Sequence, residues 1–205
     1  VGHFTWDLQR FAASLALAGA PWAQPSTVPA NPTGKKIEAP HYGDTLFNFF
    51  QDKYFSALTG LMTSQHFTRL APHDDEAEVL RGGMLLSYGN HREAGELFER
   101  LIAQTTSPAV RNRAWYYLAK IRYQRDLSDE ALAALAKIDA PLPTALQEDR
   151  QLLEGQLLLA KGDNAGAVRV LEPLALTVRP GIFASDVPGN AFARFNLGVA
   201  LLKSP

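Results

Sequence analysis

The chain has 205 residues, with 20 Lys and Arg against 21 Asp and Glu, for a formal charge of −1. That balance excludes a protein whose main partner is nucleic acid or an anionic membrane, since both require a basic excess. Apolar residues make up 46 % and charged residues 20 %, a globular composition, and the lack of cysteine excludes disulfides, zinc–thiolate centres and thiol nucleophiles.

Residues 1–23 read as a signal peptide. Arg10 precedes a short apolar run, Phe11–Ala20 (FAASLALAGA), and small residues follow, with cleavage expected after Ala23. A frayed amphipathic helix is the alternative. The run is too short for the roughly 18 apolar residues that cross a bilayer, and no other stretch reaches that length, so no transmembrane helix is expected. Residues 24–40 (QPSTVPANPTGKKIEAP) hold four prolines among polar residues and read as a disordered linker.

From His41 to the end, apolar residues recur at three- and four-residue intervals, the period of a helix, with almost no strand-like alternation. Three segments share one skeleton at an offset of 36 or 37 residues. The first has Gly82, Leu85, Gly89, Ala94 and Phe98. The second has Ala119, Arg122, Asp126, Ala131 and Leu135, and the third Gly155, Leu158, Gly162, Ala167 and Leu171. One step back lands on Ala57 and Leu61, and one longer step forward on Leu197, Gly198 and Leu201. Each unit is expected to be two antiparallel helices. The small residues let the backbones approach closely, and a Gly or Asp closes the first helix where the chain reverses. Units are expected at about 41–73, 74–108, 109–143 and 144–178, with an incomplete one at 190–205. Residues 179–189 (RPGIFASDVPG) read as an inserted loop carrying Ile182 and Phe183. The last segment reads as a first helix without a second, leaving Phe192, Phe195, Leu197, Leu201 and Leu202 in need of cover. The expectation is therefore that the chain is a fragment or ends against something else.

Over about residues 41–205 this pattern resembles the tetratricopeptide repeat family. The residues that carry the resemblance are Trp115, Leu118 and Ala119 with Ala131 and Leu135; Gly82, Ala94 and Phe98; Gly155, Ala167 and Leu171; and Leu197-Gly198. The resemblance implies an all-α fold, a right-handed solenoid of about four antiparallel helix pairs plus a lone final helix. It further implies a protein that binds other proteins or peptides and does no chemistry. An unrelated helical bundle is the alternative.

No catalytic constellation emerges from the residues, and no cofactor or metal is implied. None of the five histidines pairs with another at metal-ligating helix spacing. His73-Asp74-Asp75-Glu76 approaches an acidic metal cluster but is more simply a helix start, where acids meet the positive end of the helix dipole. There is no nucleophile elbow, phosphate-cradling glycine loop or dinucleotide fingerprint. The one candidate binding stripe lies on the helix 109–125. In tetratricopeptide-like solenoids first helices line the concave face. If Trp115, Leu118 and Ala119 face the neighbouring helix, then Arg113, Tyr116, Tyr117, Lys120, Tyr123 and Gln124 fall toward the groove. A basic, aromatic groove suits an acidic segment or a C-terminal carboxylate. In the alternative, the tyrosines pack between units and the arginines pair with Asp74, Asp75, Glu76 and Glu78.

The leading expectation is a non-enzymatic interaction scaffold, exported to the periplasm or the periplasmic face of an outer membrane, with a protein or peptide partner. Two alternatives stand beside it: the helical arm of a larger cell-envelope enzyme or of a polysaccharide or outer-membrane export machine, and a cytoplasmic adaptor.

Overall fold

The structure, a computed structural model, describes residues 37–176 and 190–203. The expected signal peptide, most of the expected linker and the inserted loop with Ile182 and Phe183 lie outside the described residues. Among the described residues there are nine helices and no strand. In chain order they are α1 (Pro40–Phe50), α2 (Tyr54–His66), α3 (Asp74–Ser87), α4 (His91–Gln104), α5 (Pro108–Gln124), α6 (Ser128–Leu135), α7 (Thr144–Ala160), α8 (Asn164–Leu176) and α9 (Ala191–Lys203). None is long and apolar enough to cross a membrane.

Helix starts follow local chemistry. Pro40 opens α1, where its fixed φ suits the first helical position and its missing N–H is no loss. Asp74, Asp75 and Glu76 fill the first turn of α3, the placement that the helix dipole favours. The Asp163 carboxylate accepts the Gly166 N–H at 2.8 Å and so caps α8. Asn190 caps α9 through Oδ1, which accepts the N–H groups of Phe192 and Ala193 at 3.0 and 3.2 Å. Pro173 falls inside α8, within its last turn, and not beyond the helix end.

The helix ends carry the period of the array. Asp52, Gly89, Asp126 and Gly162 all have left-handed φ, at 59°, 81°, 60° and 78°. They are spaced by 37, 37 and 36 residues. At each, the same pair of hydrogen bonds closes the helix. The N–H of the left-handed residue donates three residues back, to Phe49, Leu86, Tyr123 and Leu159. The next N–H donates five residues back, to Asn48, Leu85, Arg122 and Leu158. This is a Schellman closure repeated four times, at residues able to enter the left-handed region. A fifth left-handed residue, Thr68 (φ 51°), closes α2 off this spacing.

Counting from each of the four turns, the Ala five residues on (Ala57, Ala94, Ala131, Ala167) and the large residue nine on (Leu61, Phe98, Leu135, Leu171) are all buried. Seven residues before each turn stands a small residue: Thr45, Gly82, Ala119 and Gly155. The reason is steric. A Cβ on Gly82 would lie under 3.0 Å from the Phe98 ring, and one on Gly155 under 3.0 Å from the Leu171 side chain. The first helix supplies a notch and the second a knob.

The chain divides into two compact units, one holding residues up to Leu118 with Leu142–Ala145, the other holding Ala119–Pro141 and Leu146 onward. In the first unit α1 packs on α2, α2 on α3 and α3 on α4. A polar seam runs across it: Gln65 donates to Glu78 at 2.7 Å, and Arg81 donates to Gln65 at 3.3 Å and pairs with Glu93 at 3.1 Å. In the second unit α8 packs on α9 around Ala167, Leu171, Leu174, Ala193, Leu197 and Ala200. The sequence placed residues 37–40 in the linker, yet Ala39 is buried, and the Glu38 N–H donates to His73 Nε2 at 3.0 Å. Packing against the start of α3 holds this segment.

Candidate functional site

α5 carries the stripe singled out from the sequence. The helix starts at Pro108, with the Ser107 hydroxyl accepting the Val110 N–H, and is buried on nearly every side from Val110 through Ile121. The six stripe residues separate into two groups. Arg113, Tyr116 and Tyr117 are buried; Lys120 and Tyr123 are half-buried and Gln124 is exposed.

The buried group is held by specific partners. Arg113 forms an ion pair with Glu76 from the first turn of α3, and its Nε donates to the Ala109 carbonyl at 3.4 Å. The Tyr117 ring stacks on Phe98 with centroids 5.2 Å apart, and Tyr116 meets Tyr117 edge-on at 5.1 Å. Beside the ion pair, Tyr42 stacks on the His73 ring at 4.9 Å. Burial pushes the Tyr42 hydroxyl well above the usual tyrosine range; the Glu76 carboxylate adds to this and Arg113 opposes it. The phenol therefore stays neutral. Of the four acids weighed as partners for the arginines, Glu76 takes Arg113, Asp75 accepts the Thr105 hydroxyl and Glu78 accepts Gln65.

The cluster at His73-Asp74-Asp75-Glu76 is thus a helix start wired into its neighbours: His73 receives Glu38, and Asp75 and Glu76 tie down Thr105 and Arg113. Among the described residues no group of three or more His, Asp or Glu is placed to hold a metal ion. The accessible part of the stripe is its C-terminal end, Lys120, Tyr123 and Gln124, next to Arg122, whose Nη1 donates to the Glu130 carbonyl at 3.2 Å.

A second surface stands out at α9. Phe192, Phe195, Leu201 and Leu202 are exposed, whereas Leu197 is buried against α8. The sequence indicated that this helix lacks cover and placed Gly198 on the repeat skeleton; a Cβ there would meet nothing within 4 Å among the described residues. Comparison with family models, curated proteins and solved structures returns no match.

Proposed function

We propose that this chain is a non-enzymatic interaction scaffold of the tetratricopeptide type, a right-handed solenoid of antiparallel helix pairs that recruits a protein or peptide partner. The observation that supports it is the recurrence of one hairpin unit. The same Schellman closure, with a small residue before it and an Ala and a large residue after it, recurs at Asp52, Gly89, Asp126 and Gly162. Stacking of equivalent units yields an extended preformed surface, which binds without a large ordering cost. Export to the periplasm or the periplasmic face of an outer membrane is part of the proposal and rests on the Phe11–Ala20 run.

For the partner, the accessible end of α5 offers a cation, a phenol and an amide, suited to an acidic segment or a C-terminal carboxylate. Lys120→Glu is expected to weaken capture of the partner by the tagged, exported protein while leaving the chain folded. The measurement is quantitative pull-down beside thermal melting. Capture that survives the charge reversal removes α5 from the contact surface, and a pure preparation that turns over a substrate contradicts the scaffold itself. A second reading, the helical arm of a larger cell-envelope enzyme or export machine, is supported by the exposed apolar residues of α9.

A further inference from the structure

We infer that His73 is an acid-sensitive latch on the segment 37–39: the neutral imidazole holds this segment against the start of α3, and protonation of the ring releases it while the helices stay in place. The inference stands on local geometry and not on the scaffold reading, so either can fail without the other.

The latch is one hydrogen bond in a dry setting. The Glu38 N–H donates to His73 Nε2 at 3.0 Å, and His73 is 3 % exposed. A backbone N–H can only donate, so Nε2 carries no proton and the ring is neutral, with its hydrogen on Nδ1. Tyr42 of α1 stacks on the ring, nearly parallel, at 4.9 Å. The His73 backbone is fixed independently: its N–H donates to the Leu70 carbonyl at 2.7 Å, and its carbonyl accepts the Ala77 N–H at 2.9 Å. The rest of the segment leans on α1. Ala39 is buried, its carbonyl accepts the Tyr42 and Gly43 N–H groups at 3.1 Å, and the Ile37 side chain lies against Gly43. Among the described residues, the bond from Glu38 is the only hydrogen bond that ties 37–39 to anything beyond α1.

Acid acts on this bond directly. A protonated imidazole offers two donors and no acceptor, so no rotation of the ring leaves a partner for the Glu38 N–H. Two N–H groups then meet where water scarcely reaches, and a buried donor without an acceptor is costly. Departure of the segment relieves that cost, because water satisfies an amide at the surface. The titratable and charged groups around the ring are the Tyr42 phenol of α1, Glu76 with its partner Arg113 of α5, Asp74 and Asp75 in the first turn of α3, and the Glu38 carboxylate of the segment itself. Tyr42 stays neutral, Arg113 matches the charge of Glu76, and Asp75 accepts the Thr105 hydroxyl. Histidine is the residue type here that gains charge in mild acid. The bonds of Asp75 and Glu76 tie α3 to Thr105 and Arg113 whether the latch is closed or open, so the release is local. What comes free is the junction between the helical array and the chain that precedes it.

The test is NMR on the full isotope-labelled chain, between about pH 8 and about pH 5. Two signals are followed: the His73 ring, which reports its own protonation, and exchange of the Glu38 amide relative to its rate in free chain. Protection of Glu38 is expected to fall about tenfold or more as pH drops, in step with the His73 titration. The amides of Ala77 and of the four turns, Lys53, Asn90, Leu127 and Asp163, are expected to stay protected. His73→Gln offers an acceptor that takes up no proton, and no acid-dependent change at Glu38 is expected in it. His73→Phe removes the acceptor and is expected to leave Glu38 unprotected across the whole range, with Ala77 still protected. If His73→Phe fails to fold, the wild type and His73→Gln decide. Glu38 protection that ignores the His73 titration overturns the inference, and so does the same acid-dependent loss in His73→Gln. Protection retained in a folded His73→Phe overturns it too, because the bond then does not hold the segment. So does loss of Ala77 protection in step with Glu38, or a ring that stays neutral until the array unfolds, since acid then acts on the whole fold and not on a latch.

Discussion

Gly82→Leu is expected to lower the unfolding free energy by about 2 kcal/mol, whereas the same substitution at Gly198 is expected to cost nothing. The two glycines occupy equivalent positions on first helices and differ in what faces them. At Gly82 any Cβ runs into the Phe98 ring, which is fully buried. The ring is already packed on one face by Tyr117, which stacks on it at 5.2 Å. Overpacking a closed core typically costs about 1–3 kcal/mol, and four added side-chain carbons place this change at the upper end. The roughly 1 kcal/mol that leucine gains over glycine in a helix interior offsets only part of that. Urea unfolding of the two variants measures the difference. Adding Phe98→Ala to Gly82→Leu is expected to restore part of the loss, since the cavity left by the ring accepts the new side chain. Strictly additive effects would show that these residues do not touch.

Arg113→Met is expected to destabilise the fold by about 3 kcal/mol, the second large effect. Arg113 is buried and its partner Glu76 is mostly so, with side-chain exposures of 5 % and 18 %. Removing the guanidinium leaves a carboxylate with little access to water beside the neutral Tyr42 phenol. The penalty is chiefly that of the stranded charge, so the double change Arg113→Met with Glu76→Leu is expected to recover most of it. Thermal melts across a salt series check the origin: an exposed pair weakens as salt rises, whereas this one is expected to respond little. By contrast the exposed pair Arg92–Glu96 is worth well under 1 kcal/mol, and its loss is expected to pass unnoticed.

The helical repeat was legible in the sequence because glycine and aspartate at chain reversals are local signals. Gly89, Asp126 and Gly162 stand out by residue type and spacing, and each adopts the left-handed conformation such residues permit. The turn at Asp52 escaped notice because the position seven before it holds Thr45 and not a glycine or alanine, although Ala57 and Leu61 marked the helix that follows. The exposed face of α9 was legible for a different reason: a helix apolar on several faces that packs on one neighbour leaves part of its apolar surface exposed. Only the identity of the covered side, through Leu197, needed coordinates.

The state of the α5 stripe was legible only as one of two alternatives. Spacing assigns residues to faces but does not say how many faces a helix buries. α5 is buried almost all round, from Val110 through Ile121, so its sequence has no strongly polar side to mark a groove. Arg113 reads equally as a groove cation or as a partner of the acids at 74–78, and only the approach of Glu76, 37 residues away, decides for the pair. Buried ion pairs of this kind depend on tertiary approach, which composition does not encode. The Glu38–His73 bond went unseen for the same reason: it joins a segment that looks like linker to a histidine that looks like loop.

The most direct test of the repeated hairpin is residue-resolved amide exchange by NMR at Lys53, Asn90, Leu127 and Asp163, the N–H groups that donate five residues back at the four turns. The account predicts that all four amides are protected relative to free chain, and that the residue before each, Asp52, Gly89, Asp126 and Gly162, shows backbone couplings of a left-handed residue. Rapid exchange at these amides, or helical shifts running unbroken through any of the four positions, would contradict it.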